Sequence, residues 1–225
     1  LREKVDPRHT ALVIIDMQND FIADEGLIAR EGRDVSQAKE MAKHLPDLIK
    51  TARAAGVFVV FGRNVYTTDH NFYLPTGIAF APNGELVVTD GYGNARIMRF
   101  SADGKLLGQF GHRGTGPGEF QLPHNVVIDR QGRIYVSDRD NQRVEVFDAG
   151  GKYLSEWDHV GGVSSLIITP DQKIWTGGVL HDLDGKVLER LPGETSSGAH
   201  GGAVAPNGDV YLGLLSGKAE KFVRQ

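Results

Sequence analysis

No cysteine occurs anywhere in the 225 residues. Its absence excludes disulfides, thiolate zinc sites and cysteine nucleophiles. Long apolar runs are missing too: the longest, ALVII before Asp16, falls far short of the roughly 20 residues that a membrane-spanning helix needs. No membrane partner is expected. Basic residues do not dominate, because 25 Lys and Arg stand against 29 Asp and Glu for a net charge of −4. With no concentrated basic block to meet a phosphate backbone, nucleic acid is disfavoured as a partner. The opening LREKVDPRH has neither a methionine nor the charged, apolar, small-residue order of a signal peptide. A segment removed upstream would fit that opening, so the compartment stays open.

What is present is a sentence written twice. PTGIAFAPNGELVVTDGYGNARIMRFSADGKLLGQFG is answered by PHNVVIDRQGRIYVSDRDNQRVEVFDAGGKYLSEW. Pro75 answers Pro123, Gly84 answers Gly132 and Asp90 answers Asp138, each 48 apart, whereas Arg96 and Phe100 answer Arg143 and Phe147 at 47. A fixed period of this size marks a repeat architecture. Downstream of residue 72, short β-type runs alternate with PNG, DG, AGG and PDQ turns. Expected strands are Ile78–Ala81, Glu85–Asp90, Arg96–Phe100 and Leu106–Phe110, then Val126–Asp129, Ile134–Asp138, Arg143–Phe147 and Tyr153–Trp157. A degenerate third set covers Ser165–Thr169, Lys173–Gly177, Leu180–Leu183 and Val187–Leu191. A fourth covers Ala203–Ala205, Val210–Leu214 and Ala219–Val223, without a final strand. Four strands per unit read as propeller blades.

Residues 1–70 read differently. ALVIID is a continuous apolar run ending in a carboxylate, the pattern of a strand buried on both faces of a parallel sheet. Apolar residues then recur at helical spacing from Ala38 to Ala52, with Ser36 as N-cap and Gly56 as C-terminal stop. Pro46 inside that run predicts a kink or a division into two helices. VFVVF at 57–61 completes a βαβ unit. The fold class expected is therefore mainly β, about four blades of an incomplete ring over 71–225, preceded by an α/β segment over 1–70.

TALVIIDMQNDFI and ARAAGVFVVFGRNVY resemble the N-terminal third of the isochorismatase-like cysteine hydrolases. The resemblance implies that Asp16 stands where that family orients its cysteine nucleophile. With no cysteine in the chain, a hydrolase is disfavoured and Asp16 is a vestigial position or a strand-end carboxylate.

The glycine-rich GHRGTGPGEFQLP between the first two units, with PTGIAFAPNG, TDGYGNARI, LPHNVVID, SDRDNQRV and GAHGGAVAPNGDVY, resembles NHL-repeat β-propellers of the peptidyl-α-hydroxyglycine amidating lyase type. That resemblance implies a zinc ion on the central axis held by three histidines, of which His124 and His200 match two. The third belongs to a blade this chain does not contain, and Thr76 matches a position that is not a ligand. By the same resemblance Tyr92 is the catalytic tyrosine, Arg139 holds substrate and Arg143 is a further substrate-binding candidate. The implied reaction splits a carbinolamide carbon–nitrogen bond to give a peptide amide and glyoxylate. Gly201 stands where the family has a metal-binding aspartate, which puts calcium in doubt.

Blander readings stand beside these. His124 and His200 can each bond a neighbouring carbonyl at the start of an inner strand, and Tyr92 can pack between blades. Arg139 and Arg143 can pair with Asp138 and Asp140 on an exposed rim, each pair contributing roughly 0–1 kcal/mol. His112, His159 and His181 are expected in loops, and Asp69 with His70 forms a donor pair at the junction. Two function classes follow: a zinc-dependent carbon–nitrogen lyase acting on a small peptide, or a non-catalytic propeller binding a peptide or protein. The 153 residues after position 72 make fewer blades than the six with which the resembled family closes its ring. Three explanations are open: a genuine chimera, ring closure by a homo-oligomer, or sequence missing between Arg63 and Tyr73.

Overall fold

The computed structural model describes residues 11–15, 29, 32, 34–62, 72–158, 160, 163–192, 199–216 and 218–223. Two compact units divide the chain, Leu1–Phe72 and Tyr73–Gln225.

In the first unit, β1 (Ala11–Ile15) pairs in parallel with β2 (Phe58–Gly62), in the register Ala11↔Phe58 to Ile15↔Gly62. Parallel neighbours need a crossover, and α1 (Ser36–Ala54) supplies it. Two details differ from expectation. Pro46 lies inside one uninterrupted helix; it is exposed, so its ring has room and solvent can reach the carbonyl that loses its partner. Ser36 does not cap the helix but begins it. Asp34 accepts the Ser36 N–H at 2.8 Å and its hydroxyl at 3.0 Å, and these bonds hold the Asp34 carboxyl below its ordinary range. Gly56 does end the turn, at φ +73 with its N–H on the Arg53 carbonyl at 3.0 Å. Among the described residues no helix is long and apolar enough to cross a membrane.

The second unit consists of four antiparallel sheets. Blade 1 is β3 (Gly77–Phe80), β4 (Leu86–Asp90), β5 (Arg96–Phe100) and β6 (Leu106–Phe110); blade 2 is β7 (Pro123–Ile128), β8 (Ile134–Asp138), β9 (Arg143–Phe147) and β10 (Tyr153–Trp157). Blade 3 is β11 (Leu166–Ile168), β12 (Ile174–Thr176), β13 (Val179–His181) and β14 (Val187–Arg190), and blade 4 has three described strands, β15 (Ala199–Val204), β16 (Val210–Leu214) and β17 (Ala219–Phe222). Each sheet runs in sequence order, and the repeat is visible as register: Ile78↔Val88 in blade 1 becomes Val126↔Val136 in blade 2. Inner strands pack in succession, β3 on β7, β7 on β11 and β11 on β15. The blades therefore form a propeller arc, as the turn spacing predicts. β7 and β15 start at Pro123 and Ala199, three and four residues before the expected edges, which places His124 and His200 within inner strands.

Between blades 1 and 2, Phe120 from the glycine-rich connector is fully buried with Val87, Ile97, Val126, Val136 and Phe147. Burying such a ring stabilises by about 1.5–3 kcal/mol relative to leaving it exposed. Tyr135, Trp157, Val163 and Ile174 fill the next gap, and Trp175, Leu180, Val210 and Leu212 the third. His181 belongs to this framework rather than to a loop. It ends β13, is buried, stacks on Trp157 at 5.4 Å, donates from Nδ1 to the Gly185 carbonyl at 3.0 Å and meets Thr176 Oγ1 at 2.9 Å. The strand expected over Leu180–Leu183 begins one residue earlier and ends at His181, so His181 lies within it.

Candidate functional site

The first strand of each blade carries the axial positions, and the loop after the second strand overhangs them. His124, second residue of β7, is 4 % exposed; its Nδ1 lies 2.8 Å from the Ser164 carbonyl oxygen just before β11. A carbonyl only accepts, so Nδ1 carries the hydrogen and Nε2 is left as the acceptor. Burial pushes the imidazole down to about 4, offset by the Ser164 bond and reinforced by His200 and Arg139 nearby. His124 is therefore neutral at ordinary pH. Its ring edge meets His200 of β15 at a centroid distance of 4.7 Å, so inner strands of blades 2 and 4 bring two imidazoles together.

Tyr92 and Arg139 complete the cluster from blades 1 and 2. The Tyr92 hydroxyl lies 3.4 Å from His124 Nε2 and accepts from Arg139 Nη1 at 3.4 Å. The Arg139 guanidinium sits 5.6 Å from the Tyr92 ring centroid, a cation–π contact, while its Nε donates to Asp140 at 2.9 Å. Tyr92 is 44 % exposed and His200 is exposed, so the cluster is open to a ligand.

The two loops are one design used twice. The Tyr92 N–H bonds the Leu74 carbonyl at 3.4 Å, and the Arg139 N–H bonds the Leu122 carbonyl, 48 residues on, at 2.9 Å. Asn94 and Asn141 each donate to the preceding aspartate at 2.6 Å, and Ala95 and Gln142 hold the left-handed conformation at φ 50 and 57. The difference is one residue, Gly91, whose absent Cβ would lie 2.1 Å from the Pro123 carbonyl. Only glycine fits that approach, and it sets Tyr92 one step further along its loop than Arg139.

Arg143 is placed elsewhere. It is buried rather than on a rim, with Nε 3.3 Å from Asp138 and Nη1 2.9 Å from Glu156, and it donates to the carbonyls of Thr115, Gly116 and Glu119 at 3.0, 2.9 and 2.7 Å. With its donors committed to the connector, it has none directed at the histidine pair. His112 does lie in the connector, 3.3 Å from Glu119. Asp16, Asp69, His70 and His159 lie outside the described residues.

As a metal centre the cluster supplies two imidazole donors, and His124 has the arrangement of a ligand: neutral, with Nδ1 tied to a carbonyl and the Nε2 lone pair facing only the Tyr92 hydroxyl at 3.4 Å. Among the described residues no three His, Cys, Asp or Glu side chains converge as a metal set. Two clefts, about 180 Å³ between blades 1 and 2 and about 630 Å³ between blades 3 and 4, include none of the four clustered side chains. The Ser164 carbonyl had no signal in the sequence, since any residue supplies one.

Two family models match the chain. An isochorismatase domain matches residues 10–86 and a 6-bladed beta-propeller matches residues 67–174. NHL repeat-containing protein 3 of Homo sapiens is 38% identical over 105 residues, 44% of this chain and 30% of that protein. A probable peptidyl-α-hydroxyglycine α-amidating lyase of Caenorhabditis elegans is 43% identical over 91 residues, 39% of this chain and 25% of that protein. Thus the chain spans less than a third of the curated relatives it matches. Among solved structures, a streptogramin B lyase superposes with TM-score 0.50 at 14% identity over 72% of this chain and 57% of its own, a likeness of fold alone.

Proposed function

We propose that the propeller unit is a zinc-dependent carbon–nitrogen lyase that splits peptidyl-α-hydroxyglycine into a peptide amide and glyoxylate. The convergence of Tyr92, His124, Arg139 and His200 from three blades carries this reading. His124 and His200 would hold the metal with a further ligand, and zinc when bound would supply Lewis-acid polarisation of the substrate hydroxyl oxygen. Arg139 can turn its guanidinium from Asp140 to the substrate carboxylate, a pairing its planar fork suits. Tyr92 as the phenolate takes the hydroxyl proton; the carbon–oxygen double bond forms as the carbon–nitrogen bond breaks, and the departing amide nitrogen receives that proton, which returns Tyr92 to the phenolate. With His124 Nε2 given to the metal, Arg139 Nη1 is the group that holds the Tyr92 oxygen and places positive charge beside it.

The test is glyoxylate release from a short N-acyl-α-hydroxyglycine, with zinc content measured on the same sample. Turnover that Tyr92→Phe lowers by about 10²–10⁴-fold, with ligand binding kept, supports the lyase. Peptide binding without zinc, unchanged by Tyr92→Phe, would replace it with a non-catalytic binding propeller.

A further inference from the structure

Tyr92 and Arg139 are both carried on exposed loops, yet both loops are anchored to a side chain with no exposure at all. Asp90 and Asp138, the last residues of β4 and β8, are each 0 % exposed. Oδ1 of Asp90 accepts the Tyr73 N–H at 2.7 Å, while Oδ2 accepts Asn94 Nδ2 at 2.6 Å and Arg96 Nε at 2.9 Å. Oδ1 of Asp138 accepts the Gln121 and Leu122 N–H groups, both at 3.0 Å, while Oδ2 accepts Asn141 Nδ2 at 2.6 Å and Arg143 Nε at 3.3 Å.

One oxygen thus holds the strap that enters the inner strand, and the other holds the far end of the overhanging loop. That strap in turn accepts the N–H of the site residue, through Leu74 for Tyr92 and Leu122 for Arg139. Blade 3 provides the contrast. At the end of its second strand stands Thr176, followed by Gly177 and Gly178, and its turn presents no side chain to the axis. In blades 1 and 2 the buried carboxylate stands with a loop that carries Tyr92 or Arg139; in blade 3 a threonine replaces it and only the two-glycine turn remains.

We propose that Asp90 and Asp138 are positioning residues, which fix Tyr92 and Arg139 respectively at the histidine pair and thereby divide the chemical step from substrate binding between two copies of one clamp. The kinetic side of this inference rests on the lyase reading; the geometric side does not.

Asp90→Asn leaves one accepting oxygen where two are used, so either the Tyr73 strap or the Asn94 end of the loop meets an N–H₂ and is released. The expected result is a fall in kcat of about 10- to 100-fold with KM little changed, because Tyr92 acts in the chemical step. Asp138→Asn is expected to raise KM by a similar factor, because Arg139 holds substrate. Equal signatures from both variants would reduce the aspartates to general stability roles and overturn the proposal.

A second readout needs no turnover: the His124 Hε1 proton resonance, assigned through His124→Gln. Asp90→Asn should move it toward its position in Tyr92→Ala, and a folded Asp90→Asn protein with that resonance unmoved overturns the proposal. If wild-type protein releases no glyoxylate, the lyase reading fails and the resonance alone decides the positioning role. Should either aspartate variant fail to fold, Asn94→Ala and Asn141→Ala release the same loops from the surface side, with the same expected and overturning results.

Discussion

Blades 1 and 2 share one plan apart from the extra Gly91, yet they differ in what surrounds the central arginine. In blade 1, Arg96 meets Asp90 at 2.9 Å and the Gln109 carboxamide at 2.8 Å, and Met98 lies buried two residues on. In blade 2 the same stations hold Arg143, Asp138, Glu156 and a fully buried Glu145. Glu145 Oε1 accepts the Gly118 N–H at 2.8 Å and stands 3.4 Å from Arg143 Nη2, while its Oε2 has no hydrogen-bond partner among the described residues. A methionine cannot bind a loop N–H; a carboxylate can. Blade 2 therefore uses charge to fasten the glycine-rich connector, and three carboxylates share one guanidinium as a result.

The largest break in the comparison is to remove that guanidinium. Arg143→Met leaves Asp138, Glu145 and Glu156 without their cation and is expected to destabilise by about 3–5 kcal/mol, read as a fall in thermal midpoint. Arg96→Met should fall less, since Asp90 keeps Asn94 and the Tyr73 N–H.

Next in size is the pH dependence. Burial pushes Glu145 up to about 7, against the Gly118 bond and Arg143, so between roughly pH 4.5 and 7 the folded chain holds a proton that the unfolded chain has released. Stability contributed by Glu145 is therefore present at low pH and lost as pH rises through 7. In metal-free protein His124, pushed down to about 4, works in the opposite sense, its contribution present above about 6.5 and lost as pH falls toward 4. The two slopes oppose each other across that window. Glu145→Gln keeps an acceptor for Gly118 and removes one slope. Denaturant unfolding should show stability rising with pH from 4 to 6.5, and a gain of up to about 3 kcal/mol over wild type at pH 8.

Smaller effects follow from the loops. Gly91→Ala forces a methyl against the Pro123 carbonyl, and about 1–3 kcal/mol of destabilisation is expected in thermal melts, with the His124 Hε1 resonance displaced. Asp140→Ala removes only an exposed partner of Arg139, and its stability should change by about 0–1 kcal/mol, with any effect appearing instead in substrate KM.

Much of this was legible in the residues. The strands of blades 1 and 2 followed from period and turn chemistry, and even the step from 48 to 47 between Asp90 and Arg96 marks the place of Gly91. Tyr92, His124, Arg139 and His200 are singled out by the resemblance to amidating lyases, not by packing, and their four side chains lie together. Packing is where reading failed. Arg143 reads as a rim charge because a sequence does not say which carbonyls converge on a guanidinium, and His181 reads as a loop residue, although the expected Leu180–Leu183 strand contains it, because nothing in the pattern shows the Trp157 ring and Gly185 carbonyl that hold it. Pro46 overstated its power to break a helix because exposure, invisible in a pattern, decides whether the freed carbonyl finds water.

Gly91 has one more consequence. Two copies of a unit begin alike, and a ligand lying between them would meet the same face twice. A single extra glycine advances one loop by a residue, and the phenol it carries meets both the guanidinium of the other loop and an imidazole. Duplication provides the symmetry of the arc, and one residue without a side chain is enough to break it at this point.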